Sequence, residues 1–128
     1  IPTPRMVAPA LDGGKLALLS GTALHVLTRT DAMWEDIALP ETLTTVPISH
    51  AALSARGDWL AVVDGKEARL ALYRHRRQSY ELSTDALMDA DPMIPLANPA
   101  SLLFAPDDSW LAVGSAASPG LRLYLRDR

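Results

Sequence analysis

The sequence predicts an all-β fold, namely a partial β-propeller of three four-stranded antiparallel blades in which the last blade is incomplete. The first observation is a polar turn followed by an apolar strand, which occurs three times, with the strands beginning at Lys15, Trp59 and Trp110. The second is a further apolar strand phrase after each copy, at 24–27, 70–73 and 121–124. The copies recur at roughly 40 to 50 residues, the period of propeller blades.

The first blade is expected within residues 5–40, as the start of a single domain that covers 1–128. Its strands are predicted at 6–9, 15–20, 22–30 and 34–39. The turn between the first two strands contains Asp12, Gly13 and Gly14, residue types that tolerate tight or left-handed backbone. A further glycine, Gly21, marks the next turn.

The second blade is expected within 47–83 and the third within 99–128. The predicted strands are 48–54, 59–63, 68–75 and 80–83, then 101–105, 110–115 and 121–126. The strand that begins at Trp59 is apolar on both faces, because Leu60 and Val62 point one way and Ala61 and Val63 the other. A strand buried on both sides lies between two layers, as a blade does between its neighbours.

The third blade lacks an evident fourth strand, and residues 84–98 are interpreted as a loop between the second and third blades. Three blades are also fewer than the about four to eight that form a ring. An open arc exposes apolar faces and a bare strand edge. We therefore expect the arc to be closed by oligomerisation of the chain with itself or by another chain. A fragment of a longer propeller is the alternative.

Composition narrows the class of partner. The 128 residues carry a net charge of −3 and contain no cysteine. This charge gives no basis for binding nucleic acid or an anionic membrane. Disulfides and thiolate metal sites are excluded, and no apolar stretch approaches the roughly 18 residues of a membrane helix.

The candidate interface residues are apolar side chains in the terminal blades and in the 84–98 loop, which we expect to dock on a neighbour. They are Met6, Val7, Met88, Met93, Ile94, Leu121, Leu123 and Leu125. A basic run, Arg74, Arg76 and Arg77, is a second candidate, as a patch for phosphate or an acidic partner. A solvated strand end explains the same run, and the net negative charge favours that interpretation.

No catalytic, metal-binding or cofactor-binding residue is predicted, and no cofactor is expected. His25, His50 and His75 are evenly spaced, but metal ligation needs convergence in space. The acidic residues lack the spacing of a calcium loop, and neither a Gly-x-Ser-x-Gly elbow nor a phosphate-binding glycine loop occurs. Trp59 and Trp110 occupy equivalent repeat positions, which favours packing over ligand stacking.

The phrase at 106–115, Pro-Asp-Asp-Ser-Trp-Leu-Ala-Val-Gly-Ser, resembles WD40-like β-propeller repeats. The stretch from Leu96 to Arg126 resembles, more narrowly, the tandem repeats of bacteriophage structural proteins, and 34–40 is similar to their fourth strand. No Gly-His dipeptide or Trp-Asp pair occurs at the WD40 positions, so the polar network of true WD40 domains is not expected.

This resemblance implies a non-catalytic role in a virion, as a capsid decoration, connector, fibre or tail component that acts through protein–protein contacts. The expected location is the virion, assembled in the cytoplasm of a bacterial host. The alternative is a scaffold domain in the bacterial cytoplasm. A propeller enzyme is disfavoured, because no set of inward metal ligands repeats from blade to blade.

Overall fold

The computed structural model describes residues 5–64, 69–77, 79–82, 87–89, 99–107, 109–115 and 121–126. In chain order the elements are β1 Met6–Pro9, β2 Lys15–Ser20, β3 Ala23–Thr30, β4 Met33–Asp36, α1 Glu41–Thr44, β5 Ile48–Leu53, β6 Trp59–Asp64, β7 Arg69–Arg76, β8 Ser79–Leu82, β9 Leu87–Asp89, β10 Pro99–Phe104, β11 Trp110–Ser115 and β12 Leu121–Arg126. The strands form three antiparallel sheets, ordered β1-β2-β3-β4, β5-β6-β7-β8 and β10-β11-β12-β9. The predicted all-β fold of repeated four-stranded sheets is confirmed.

The turn between the first and second strands is closed by the same backbone hydrogen bond in all three sheets. The residue before each turn donates its N–H to the carbonyl of the residue that begins the second strand, at 2.9 Å in every case. The pairs are Ala10 with Lys15, Ser54 with Trp59, and Ala105 with Trp110. The sequence repeat is therefore also a repeat of hydrogen bonds.

Different side chains complete this turn in different sheets. Asp12 accepts the N–H of Gly14 at 2.8 Å in the first sheet, and Asp107 accepts that of Ser109 at 3.0 Å in the third. The second turn has no aspartate at the equivalent position. There the buried Ser54 hydroxyl accepts the Trp59 N–H at 2.9 Å, so a different oxygen supports the same turn.

The second sheet lies between the other two, because β5 contacts β1 and β2 on one side and β10 on the other. Leu60 and Val62 of β6 are buried in a cluster with residues of the first sheet, whereas Ala61 is buried in a separate cluster with Leu111 and Val113 of the third. The prediction that β6 is covered on both faces is confirmed.

The forward face of a sheet is the one that carries Ala17, Ala61 or Ala112, and the back face is the one that carries Leu16, Leu60 or Leu111. In both junctions the forward face of one sheet packs on the back face of the next.

The outer strand of the third sheet differs from the sequence interpretation. Leu87–Asp89, placed in the 84–98 loop, forms β9 and pairs with β12 from Tyr124 to Arg126. The strand has 3 residues and its partner lies far along the chain, so neither alternation nor a hairpin turn signals it. The third sheet therefore has an outer strand, but this strand is short and precedes the other three strands of the sheet in the chain.

Two smaller differences concern the segment between the first and second sheets. The 4-residue helix α1 is too short to show helical periodicity in the sequence. The fourth strand ends at Asp36 rather than at residue 39, and Ile37 is instead buried in the first cluster, where its N–H bonds the Val26 carbonyl at 2.8 Å. No helix within the described ranges is long and apolar enough to cross a membrane.

Candidate protein-interaction site

The back face of the first sheet is apolar and has no described sheet packed on it. Register places Val7, Leu18 and His25 side by side on this face, and likewise Leu16 and Leu27. Val7 is 53% exposed. Leu18, in the middle of the sheet, is 8% exposed but belongs to neither inter-sheet cluster.

The equivalent positions of the other two sheets are completely covered. Leu60 and Val62 are 0% and 2% exposed, and Leu111 and Val113 are both 0% exposed. Each pair lies against the forward face of the preceding sheet. The first sheet thus presents the side-chain chemistry of a blade junction without a described partner sheet.

The forward face of the third sheet is the complementary surface. Leu103 pairs with Ala112 across β10 and β11, and the next position on this face of β11 is Gly114. Leu103 is 63% exposed, whereas its neighbours Leu102 and Phe104 pack toward the second sheet. An exposed leucine beside small residues is a surface that another apolar face can cover.

An apolar cleft of about 500 Å³ lies where the turns of all three sheets meet. Its lining includes Leu11, Leu53, Leu103, Phe104 and Trp110, and Leu11 is 74% exposed. Loops that a rigid scaffold brings together are common binding positions. The lining suits an apolar group of a partner better than a charged substrate.

A polar cleft of about 680 Å³ separates β4 from the hairpin of β7 and β8. Arg76 and Arg77 of the predicted basic patch line this cleft, together with Glu35, Asp36 and Glu81. The carboxylates offset the positive charge locally, which weakens the case for an anion-binding patch. The third patch residue, Arg74, instead places its guanidinium carbon 5.4 Å from the centroid of the Trp59 ring.

Titratable residues near the first junction, where the first sheet packs on the second, have a structural role. The Tyr80 hydroxyl is buried and donates to the Gly57 carbonyl at 2.6 Å. Burial, with a smaller contribution from Asp58, raises the pKa of Tyr80 well above its usual range. A hydroxyl held in this way fixes a turn and is a poor proton donor at neutral pH.

His75 packs against Tyr80, with the ring centroids 5.1 Å apart. Burial lowers the pKa of His75, Lys15 lowers it further, and Asp58 acts in the opposite sense. The other histidines lie elsewhere: His25 is in β3, and His50 is in β5 beside the Ser49 hydroxyl at 3.0 Å. Within the described residues, no three His, Cys, Asp or Glu side chains are grouped to hold a metal ion.

The predicted interface residues fall in several places. Val7 lies on the uncovered back face, but Met6 is half-buried and packs on the core between the first and second sheets. Met88 lies in β9, and the backbones of Leu121, Leu123 and Leu125 pair with Gly114, Ala112 and Trp110. The side chains of these four residues, and Met93 and Ile94 entirely, lie outside the described part of the structure.

Sequence reasoning missed Leu16, Leu18, Leu27 and Leu103. Their signal was present, because Leu16 and Leu18 align with Leu60 and Val62 in the repeat. Alternation shows that a strand has two apolar faces, but it does not show which face lacks a neighbour.

No family model matches the chain, and no curated protein matches it. Among solved structures, the chain is similar to the β-propeller domain of Cps50 (Swd1) from Myceliophteria thermophila, with a TM-score of 0.70 and 11% identity over 95% of this chain and 38% of that one. It is also similar to proteins assigned as 6-phosphogluconolactonases from Bacteroides fragilis and Bacteroides uniformis. Both have a TM-score of 0.65 and 16% identity, over 97% and 98% of this chain and 35% and 36% of theirs.

These similarities concern the fold alone, because identity is below the level at which activity transfers. The chain spans little more than a third of the length of each of these structures. Its three sheets, each packed forward face to back face on the next, are arranged as successive blades are. The chain thus has the fold of a β-propeller segment.

Proposed function

We propose that this protein is a non-catalytic structural module that acts through protein–protein contacts. One observation carries the proposal: on the back face of the first sheet Val7 is 53% exposed beside a central Leu18 that is 8% exposed, whereas the central positions of the same face in the other two sheets are 0–2% exposed. A face built for burial and left uncovered identifies a surface that another protein surface covers.

The apolar cleft at the turns supports the same proposal. Leu11 and Leu103 are among the most exposed large apolar side chains of the described chain, and both line this cleft. The buried Tyr80 hydroxyl, by contrast, is bonded to the Gly57 carbonyl. The described surface therefore favours binding of protein over chemistry on a small polar substrate.

A place in a bacteriophage particle is the specific form of this proposal. Its support is the resemblance of 96–126 to the tandem repeats of bacteriophage structural proteins, and the corresponding location is the virion. Quantitative mass spectrometry of purified particles tests it, with the chain expected at a fixed copy number relative to the capsid protein. Absence from the particles, with the chain in the host cytoplasm, favours the scaffold alternative instead.

The similarity to lactonase-like structures supplies the test of the non-catalytic assignment. The purified protein is incubated with 6-phosphogluconolactone, and hydrolysis is followed against the spontaneous reaction. We expect no acceleration. Acceleration that is proportional to protein concentration and survives further purification contradicts the proposal.

A further inference from the structure

We propose that the back face of the first sheet is covered by the forward face of the third sheet of a second copy of this chain, stacked head to tail. The inference rests on the proposed function, because it names the partner for the uncovered face. The two junctions within the chain provide the template.

The two internal junctions share one chemistry. At the first, Ala17 and Leu19 of the forward face share a buried cluster with Leu60 and Val62 of the back face. At the second, Ala61 and Leu72 share a cluster with Leu111 and Val113. Each contact sets small and medium apolar side chains against a leucine and a valine in the middle of a sheet.

The two faces that no described sheet covers match this template. The back face of the first sheet offers Leu16 and Leu18 at the positions of Leu60 and Val62, and the forward face of the third offers Ala112 at the position of Ala61. The faces are therefore complementary to each other in the way that the internal pairs are. The chain carries both halves of a third junction.

The first strands of the three sheets, β1, β5 and β10, indicate which residues meet at the proposed contact. Val7 is equivalent to Leu102, because each pairs with the central residue of the adjacent strand, Leu18 or Val113. Leu103 is likewise equivalent to Ala52, which pairs with Ala61. Since β5 and β10 are in contact at the second junction, Val7 of one copy should lie near Leu103 of the other. These two residues are 53% and 63% exposed in the single chain.

The symmetry of this contact limits the assembly. A forward-to-back contact joins two different surfaces, so it is heterologous and needs a closing rotation to avoid an open filament. Two copies of a three-sheet arc, joined by two such contacts, make a ring of about six blades, within the range of about four to eight that propellers adopt. A two-chain ring leaves neither face exposed.

The experiment measures mass in solution by light scattering over a dilution series. We expect the wild-type chain to form two-chain particles, and Val7→Asp and Leu103→Asp each to raise the dimer dissociation constant by about tenfold or more, because each sets a carboxylate against an apolar face. Met33→Asp is the matched control, since Met33 is 66% exposed on the β3–β4 hairpin, away from both faces. It should leave the dissociation constant unchanged.

A double variant separates lost contact from lost folding. Val7→Asp combined with Leu103→Lys places opposite charges across each proposed contact. The double variant should form more dimer than Val7→Asp alone or Leu103→Lys alone. A wild-type monomer at all concentrations overturns the inference, as does a dimer that Val7→Asp and Leu103→Asp leave unchanged. Neither result decides the proposed function, which is tested separately by lactone hydrolysis and by mass spectrometry of purified particles.

Discussion

The first and second junctions contain the same apolar contact, and described polar contacts add to it at the first. At the first, Asp12 donates its N–H to the Ala55 carbonyl at 2.9 Å, and Ile48 donates its N–H to the Thr22 carbonyl at 3.0 Å. The Ser79 hydroxyl also donates to the Ala38 carbonyl at 2.7 Å. At the second, the described residues that share a cluster are apolar.

The arginine before β1 adds a further bridge at the first junction. The Arg5 guanidinium donates to the Ile48 and Ser49 carbonyls of the second sheet, at 3.1 and 2.9 Å, and to the Gly21 carbonyl of the first. Apolar stacking is therefore the part that both junctions share. Directional hydrogen bonds then fix the first two sheets relative to each other.

The largest expected effect is on the free energy of unfolding. It comes from comparing two leucines at equivalent positions, one covered by a neighbouring sheet and one not. Leu60→Ala should reduce the free energy of unfolding by about 2–5 kcal/mol, because it leaves a cavity at a filled junction. Leu16→Ala, at the equivalent position on the uncovered face, should cost about 1 kcal/mol or less. Urea unfolding in the Val7→Asp background, where dimerisation is weakened, measures both. Equal costs would show that the first sheet is covered within the single chain.

The next effect isolates the contact between the second turn and the first sheet. Gly57 and Gly13 are equivalent turn residues, with φ of +76° and +78°. A Cβ on Gly57 would lie 2.5 Å from Lys15 Cδ and 3.1 Å from Lys15 Cβ, whereas nothing lies within 4 Å of one on Gly13. Gly13→Ala should cost about 1 kcal/mol from backbone strain alone, and Gly57→Ala about 1 kcal/mol more. Lys15→Ala keeps the Cβ but removes the Cγ and Cδ atoms, so it should remove most of that extra cost, and a failure to do so would contradict the assignment of the strain to Lys15.

The arginine bridge should contribute less, because the side chain is exposed. Arg5→Ala should lower stability by about 1 kcal/mol through loss of charge-assisted hydrogen bonds. Arg5→Lys is the control that keeps the charge but loses the planar fork, and it should recover only part of the loss. Thermal unfolding at low and high salt measures both variants. Full recovery by lysine would mean that charge alone accounts for the contribution of Arg5 to the first junction.

The smallest expected effect is a pH dependence at the same junction. Because burial lowers the pKa of His75 below the usual value of about 6.5 for histidine, the unfolded chain binds the proton more tightly than the folded one does. Stability should therefore fall as the pH drops from about 7.5 to about 5.5. His75→Gln should make this decline shallower, as followed by Tm at each pH. An unchanged slope in this variant would mean that other groups cause the decline.

Sequence reasoning predicted most strands and all three first turns, because alternation and turn residues are local signals. The strands that it placed within one residue of their observed bounds are β1, β2, β3, β5, β6, β7, β8, β11 and β12. It could not find β9, since a three-residue strand carries no pattern and its pairing with β12 is long-range. The helix α1 was missed for the same reason of length.

The candidate site was predicted only in part. Val7 follows from its terminal strand, but Leu103 does not, because its exposure depends on which face of β10 meets the second sheet. The Arg5 bridge and the Tyr80 bond to Gly57 both join backbone carbonyls to residues more than 20 positions away. Such acceptors carry no sequence signature, because every residue has a carbonyl.

The most direct test of the central claim uses cysteines, since the chain has none of its own. Chains with Val7→Cys are mixed with chains with Leu103→Cys, and a short thiol-reactive cross-linker is added. A head-to-tail junction predicts an efficient mixed product of two chains, twice 13.8 kDa, and little product from either variant alone. Cross-linking of Val7→Cys with itself, or no product beyond random collision, contradicts the account.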